Sequence, residues 1–522
     1  MNAPVSAPVE DGWRRLDRRL IHATALVAAG VAAGLAISVV VRELAHDTSA
    51  ALVFPLAALG VLVVGAGGAL VGWVAWRRTQ YRVTVERVEL RSAIITRKYK
   101  SIPRDRVRSV DLTANLLYRL LGVVKVEIGT GQHTRSGEQL VVEPVVRADA
   151  DRLRAELLHG PATSGVAAAE HAPSLPSTAM AAASAAAIAV LDWNWLRFAP
   201  VSVTTPLLGA AAFGTVLQFA DYLGLREALF DEAGDQLRGT SIVVLVLVVA
   251  VLGIASGVTG SLLLFIVQWF GYRLDREPGG MLRMQRGLLT TRSLSLRESR
   301  VRGVELIEPL GARLLRGARL DVVASGLRTS DDKKRGNPKT LLPAAPRTVV
   351  GRVAAAVLRE PVAPADEVRL IAHPVAARGK RLRRALAVVL VPVVVLVVLA
   401  ILFDGPFWWL AVVVFVLGGA AGALLALDAY RNLGHGLTGR HLVARHGSPS
   451  RHTVALRRSG IIGFTIRQSV LQRRAGLLTV GVTTAANTGE YLVYDVADDE
   501  GLAFAAEAVP GLLAPFLDRG TR

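Results

Sequence analysis

The sequence predicts an integral membrane protein with six transmembrane helices in three hairpins, each followed by a small all-β module that a short helix closes. Three observations predict this class. The 522-residue chain has 52% hydrophobic residues and a mean hydropathy of +0.41, too apolar for an ordinary soluble enzyme. It holds three pairs of apolar runs, and a run of about 20 residues suffices to cross a hydrocarbon core as helix. A β-rich segment recurs three times, each copy just after a pair of runs, and self-similarity at a long period dictates the architecture.

Residues 1–21 read as a polar tail and 22–76 as the first hairpin, with apolar runs at Ala23–Val41 and Ala51–Trp76. Arg14, Arg15, Arg18 and Arg19 precede it and Arg77 and Arg78 follow it, while the connecting loop carries Glu43 and Asp47 against Arg42 alone. Positive flanks mark the cytoplasmic side, so the N-terminus and the modules are expected there. The second apolar run argues against a cleaved signal peptide.

The first module, 77–160, alternates apolar and polar residues, as in Val83/Val85 and Val124/Val126/Ile128, the pattern of antiparallel strands with one wet face. Pro103 belongs at a strand start or edge, since proline lacks a ladder donor. Arg147–Gly160 reads as an amphipathic closing helix ended by glycine. A linker, 161–197, follows, in which Ala179–Val190 suggests a partly buried helix too short to span.

The second hairpin, 198–270, uses Phe198–Phe219 and Ser241–Phe270 around an acidic loop with Asp221, Glu227, Asp231, Glu232 and Asp235. The second module, 271–360, contains a charged excursion at Thr329–Thr340 and closes with a helix at Arg347–Glu360. A basic linker, 361–384, leads to the third hairpin, 385–427, turning at Asp404-Gly405-Pro406. The third module, 428–522, ends in a helix near Asp498–Val509 and an apolar tail suited to the bilayer or to the module itself.

The copies align by eye. Arg106-Val107-Arg108-Ser109-Val110-Asp111-Leu112 matches Arg300-Val301-Arg302-Gly303-Val304-Glu305-Leu306 and, more loosely, Gly460-Ile461-Ile462-Gly463-Phe464-Thr465-Ile466. Gly122, Gly317 and Gly476 follow at nearly constant distance. The paired helices, the Ser101-Ile102-Pro103, Arg106-Val107 and Val110 segment, and Leu117 through Gly122 resemble the bacterial pleckstrin-homology-like (PH-like) membrane proteins of the bPH2 family, once a domain of unknown function. Three units look like its large, YdbT-type architecture. The likeness runs from about residue 14 to 510, with departures: Ser295-Leu296 stands for Ile-Pro in the second copy, and Gly460 for the motif arginine in the third. The resemblance implies a bent seven-stranded PH-like sandwich or barrel with a C-terminal helix in each module. It also implies membrane location, no catalysis, and association with a smaller single-module relative. Fold alone does not imply phosphoinositide binding.

Absent cysteine excludes disulfides, thiolate metal sites and cysteine catalysis. The net charge of +19 fits positive flanks of spanning helices and attraction to anionic lipid; the basic runs lack the series of interleaved base-stacking aromatics that nucleic-acid binding uses. The densest basic patch, Arg97, Lys98, Lys100, Arg104, Arg106 and Arg108, is the candidate contact for anionic lipid or a partner, although strand alternation distributes it over both faces. His435, His441, His446 and His452 cluster without an evident acidic second shell, so no metal site is expected. Gly30/Gly34, Gly68/Gly72, Gly253/Gly257 and Gly418/Gly422 have the small-xxx-small spacing that lets helices approach in lipid, and are expected to pack the hairpins into one six-helix bundle.

No nucleophile elbow, P-loop or zinc-protease motif occurs, and the apolar helices hold almost no ionisable residue. The expected role is therefore non-enzymatic and without cofactor: a membrane-anchored scaffold whose partners are lipids, itself or a smaller relative, in envelope-stress or antimicrobial-peptide defence. The alternative is a component of a transport or lipid-handling complex.

Overall fold

The computed structural model of the protein describes residues 12–45, 50–84, 86–93, 97–104, 107, 109–129, 140–159, 186–201, 242–325, 339–403, 407–486, 490–513 and 515, with scattered positions between 205 and 218. The chain forms two units, Met1–Arg297 and Glu298–Arg522. Among the described residues, five helical stretches are long and apolar enough to cross a membrane: Arg19–Val40, Ala51–Arg78, Ala250–Trp269, Val375–Phe403 and Phe407–Arg431. Ten of the 22 residues of the sixth expected span, 198–219, lie outside the described residues.

In the first unit, helices α1 (Arg19–Ala45) and α2 (Ala50–Arg78) lie against each other. A four-stranded antiparallel sheet has the order β1 (Arg14–Arg15), β2 (Thr79–Val83), β3 (Arg87–Ala93), β4 (Arg97–Pro103). A seven-stranded sheet then runs β7 (Leu140–Val146), β6 (Val123–Gly129), β5 (Ser109–Ala114), β11 (Thr291–Arg297), β10 (Met281–Arg286), β9 (Arg273–Glu277), β8 (Ala186–Val190). Alternation does the sorting. Val110, Leu112, Val126, Ile128 and Val142 point into a core shared with Tyr81, Val88 and Ile102 of the four-stranded sheet and with Leu153 and Leu157 of the closing helix Arg147–His159. Each such side chain contributes roughly 1.5–3 kcal/mol of burial.

In the second unit, a six-stranded sheet has the order β14 (Thr340–Pro346), β13 (Gly317–Ala324), β12 (Val301–Pro309), β17 (Ser450–Arg457), β16 (His441–His446), β15 (Gly434–Leu437). A three-stranded sheet has the order β18 (Ile461–Arg467), β19 (Leu477–Thr484), β20 (Glu490–Ala497). Leu442, Val454, Leu456, Val480, Val482, Val493 and Phe504 join the two sheets through one core.

Several expectations change. The modules do not each keep a private seven-stranded sheet: the later strands of one pair with the early strands of the next. Ala186–Val190 is a strand on β9 and not a helix, because its short apolar side chains fit a sheet margin; 179–185 lie outside the described residues. Residues 12–21 are no loose tail: Arg82 and Arg91 both lie over the Trp13 ring, with guanidinium carbons 4.8 and 4.5 Å from the ring centre, and the Trp76 indole donates to the Leu16 carbonyl. Pro103 does lie on an edge strand, as the last residue of β4.

The third hairpin's first helix begins at Val375, absorbing the basic residues assigned to a linker, because Lys380 and Arg381 both pair with buried Asp495. Its second helix is relaxed by a π turn at Val414–Gly418. Most of the charged excursion 329–340 and most of the apolar tail lie outside the described residues, although Leu513 packs on the third module.

One feature recurs that periodicity does not reveal. β1 pairs with β2, β8 with β9, and Ile371 bridges His435 in β15. In each repeat the chain touches its own sheet before entering the apolar helical segment and again on leaving it.

Candidate functional site

The seams between modules are the most distinctive structural feature. In the first, β5 pairs antiparallel with β11, from Ser109 opposite Leu296 to Ala114 opposite Thr291. In the second, β12 pairs antiparallel with β17, from Gly303 opposite Leu456 to Pro309 opposite Ser450. Ser109 and Gly303 are equivalent in the repeat, as are Leu296 and Leu456, so the seams share one register. A register slip of one residue would turn every core side chain outward.

Ion pairs flank both seams. At the first, Arg154 meets Glu277 at 2.7 Å and Arg283 meets it at 3.1 Å. Burial works to raise the Glu277 carboxyl, but the two guanidinium groups outweigh it and hold it below the ordinary carboxylate range. At the second, Arg451 grips Glu308 with two hydrogen bonds of 2.6 Å, and His452 Nδ1 lies 2.8 Å from Glu305.

A clamp recurs at the end of each closing helix. Arg104, just after β4, donates to the Glu156 carbonyl, and Arg458, just after β17, donates to the carbonyls of Ala508 and Glu507. Both cations meet the negative end of a helix. The middle repeat inverts the pair: Glu298 occupies the strand-end position, and Arg359, just past the closing helix Arg347–Leu358, bridges to it at 2.6 Å.

The four described members of the six candidate basic residues stand in different settings. Arg104 is engaged by its helix and its side chain is only 11% exposed. Arg97 and Lys98 are exposed on β4, and Lys100 is half-buried. Arg106 and Arg108 lie outside the described residues.

The histidines form two pairs that include one member the sequence cluster omitted, His373. His373 Nε2 lies 3.0 Å from His435 Nδ1, and its Nδ1 lies 2.8 Å from the Tyr494 carbonyl. His435 also packs edge-on against Phe504, with Glu500 3.8 Å away. His446 stacks on His452 with ring centres 5.5 Å apart. Burial pushes both His435 and His446 down to about 4, so these rings are neutral structural elements near pH 7. Among the described residues no three histidine or carboxylate groups converge to hold a metal ion.

The glycines pack helices within a hairpin. A Cβ on Gly68 would stand 2.5 Å from the Ala28 Cβ, and one on Gly72 2.0 Å from Thr24 Oγ1, both on the neighbouring helix α1. A Cβ on Gly257 would meet the Thr205 carbonyl at 2.6 Å. Gly418 and Gly422 face Val389 on the preceding helix at 3.6 and 3.4 Å, whereas Gly30, Gly34 and Gly253 have open space there. Close approach serves each helix pair, and no described glycine contact joins one hairpin to another.

A cleft of about 230 Å³ opens beside the first seam at the end of helix Ile242–Trp269. Arg119, Arg147, Arg283 and Arg286 line it with Asp151 and Phe270. Arg119 donates to the Leu288 carbonyl, and the Arg286 guanidinium carbon lies 4.2 Å from the Trp269 ring centre. The sequence patch missed this concentration because its members come from distant segments that only strand pairing brings together.

Two stretches of the chain, 26–160 and 384–506, match the family model of the bacterial PH domain. The middle repeat falls outside both matches but has the same succession of strands and closing helix. No curated protein and no solved structure matches the chain.

Proposed function

The chain is a bacterial PH-domain protein in which the module is repeated, and from that premise we propose that it is a non-enzymatic scaffold: six spanning helices in three hairpins, carrying three PH-like modules on the cytoplasmic side. The observation that carries this reading is the sharing of sheets. Consecutive modules tethered only by linkers could move independently; strands hydrogen-bonded across a boundary set one module's edge against the next. PH-like domains are interaction modules, and rigid spacing suits holding partners in register.

The six-span topology draws support from the strand that precedes each hairpin. Val190 is opposite Arg273, so the intervening chain must leave and return on one side. Helix Ile242–Trp269 accounts for one crossing, and an even number requires another between Leu191 and Ser241. Single cysteines placed in the cysteine-free chain at Asp47, Asp231 and Asp404 should react with an impermeant thiol reagent from outside, and one at Arg273 should not. The reverse pattern would overturn the orientation.

Mass spectrometry of gently extracted full-length protein tests the scaffold itself. A stoichiometric protein subunit, whether a second copy or a smaller single-module relative, is the expected result. The arginine-lined cleft favours a second reading, in which a lipid phosphate sits at the seam and the protein belongs to a lipid-handling assembly. Retained anionic lipid with no protein subunit, lost on Arg147→Glu substitution, would favour that reading over the scaffold.

A further inference from the structure

The repeat leaves two strands without the neighbour that their equivalents have. β5 and β12 are each covered by the following module's strand, β11 and β17. The third member of that series, β18, is an outer strand of its sheet. In the other series β11 and β17 are covered, whereas their equivalent, β4, is an outer strand too. The two open edges are the two halves of a seam.

The exposure of equivalent residues shows what is missing. Leu112 and Leu306 are 7% and 0% exposed in their seams, but Ile466 at the same position is 38% exposed. Ile462 on the same strand is 59% exposed. Both isoleucines lie outside the five stretches long and apolar enough to span a membrane, where exposed apolar side chains point to an interaction surface. Gly303 is needed because β17 comes close: a Cβ there would stand 2.2 Å from the Ala455 carbonyl oxygen. Its equivalent, Gly463, has nothing within 4 Å. β18 keeps the glycine of the second seam, where the first has Ser109, but no described strand lies across it.

We propose that β18 of one chain pairs antiparallel with β4 of a second copy, repeating the internal seam head to tail. This inference rests on the scaffold reading. The shared register places Gly463 opposite Ile102, Phe464 opposite Ser101 and Ile466 opposite Tyr99. Ser101 takes the place of Ser295, which faces Val110 in the first seam, and exposed Ile466 gains an aromatic neighbour in Tyr99, itself 56% exposed. The like-charge opposition of Arg467 and Lys98 falls at the strand end, where Glu490 already neutralises Arg467 at 2.6 Å. A seam of this kind presents the added copy's hairpins to the membrane as the internal seams present their own, which a two-fold pairing of β18 with itself does not guarantee.

The absence of cysteine makes disulfide trapping in membranes clean, because facing residues of an antiparallel pair are about 4.5–5.5 Å apart at Cα, within reach of a disulfide. Full-length Tyr99→Cys and Ile466→Cys chains carrying different tags are co-expressed and oxidised, with Thr113→Cys/Arg292→Cys in one chain as the internal-seam control. The expected result is a mixed dimer roughly tenfold above either variant alone, increased by Lys98→Glu, which sets opposite charges across the edge. A dimer of Ile466→Cys with itself would overturn the proposal in favour of two-fold pairing. Closure of the internal control without any mixed dimer would overturn the second copy as occupant and leave the scaffold reading intact. Failure of both would remove the shared sheets on which that reading stands.

Discussion

Across the first seam the facing pairs are Val110 with Ser295, Leu112 with Ser293 and Ala114 with Thr291. Across the second they are Val304 with Ala455, Leu306 with Thr453 and Glu308 with Arg451. The register is common, and so is the aliphatic residue on the core side, but among the described facing pairs an oppositely charged one, Glu308 with Arg451, occurs only in the second seam. A directly facing ion pair is therefore not required for two modules to share a sheet. The ion pairs of the second seam are an addition whose removal should be harmful only when half done.

Glu308→Ala should show the largest effect. Its side chain is 5% exposed and is held by Arg451, with Arg347 3.7 Å away. Removing it leaves Arg451 without its carboxylate beside a buried strand, while Arg347 keeps Asp366, at a cost on the order of 3–5 kcal/mol. The double variant Glu308→Ala/Arg451→Thr transplants the Ala114–Thr291 pair of the first seam and should recover all but about 1 kcal/mol. Denaturation of the purified protein, with amide exchange in 301–309 and 109–114, reads both. A double variant as unstable as the single would show that the two seams are not built on one principle.

Acid should also separate the seams. His446 touches His452 and Tyr494 and is near Glu305 and Arg381; His435 touches His373 and Phe504 and is near Glu500. Both are held at about 4 in the folded protein, below the ordinary histidine value of about 6.5. The unfolded chain binds protons first, so stability is complete above about pH 6.5 and falls as pH drops toward 4, by up to roughly 3 kcal/mol for each ring. Exchange protection in 450–457 should be lost on acidification before that in 291–297, and His446→Phe should reduce the difference. Equal acid sensitivity of the two segments would count against this assignment.

A smaller contrast sits at equivalent positions of β12 and β18. Gly303→Ala drives a Cβ into the Ala455 backbone, 2.2 Å away, and should cost on the order of 1–3 kcal/mol. Gly463→Ala in the purified monomer should change the melting temperature little, since nothing stands opposite it.

Much of this was legible in the chain. The apolar runs, the three closing helices and the aligned strand starts follow from local periodicity, which reports what a segment buries but not against which neighbour. Strand exchange between modules was not legible for that reason: β11 has the same alternation whether it pairs within its own module or with β5. His373 was missed because 62 residues separate it from His435, and the strand at Ala186–Val190 because alanine-rich sequence favours helix until a sheet margin is present to receive it. The glycine alignment erred by a single residue. The left-handed position after the short helix is held by Gly122 (φ 67°), Arg316 (φ 56°) and Gly476 (φ 59°), with Gly317 already inside β13.

That last offset yields the smallest predicted effect and an internal control. Each of the three residues accepts a hydrogen bond at its carbonyl from the first amide of the closing helix: Arg147 to Gly122, Arg347 to Arg316 and Asp498 to Gly476. The turn is therefore required, whatever residue occupies it. A side chain in this conformation costs about 1–2 kcal/mol, part of which glycine returns through the greater freedom of the unfolded chain. Arg316→Gly should accordingly stabilise the protein by about 0.5–1 kcal/mol, and Gly476→Arg should destabilise it by a similar amount, because a Cβ at Gly476 meets no neighbour and only the backbone conformation is altered. Thermal melts of the two variants should thus shift in opposite directions by comparable amounts. A shift at Gly476 without its counterpart at Arg316 would mean that the arginine side chain itself stabilises the middle repeat.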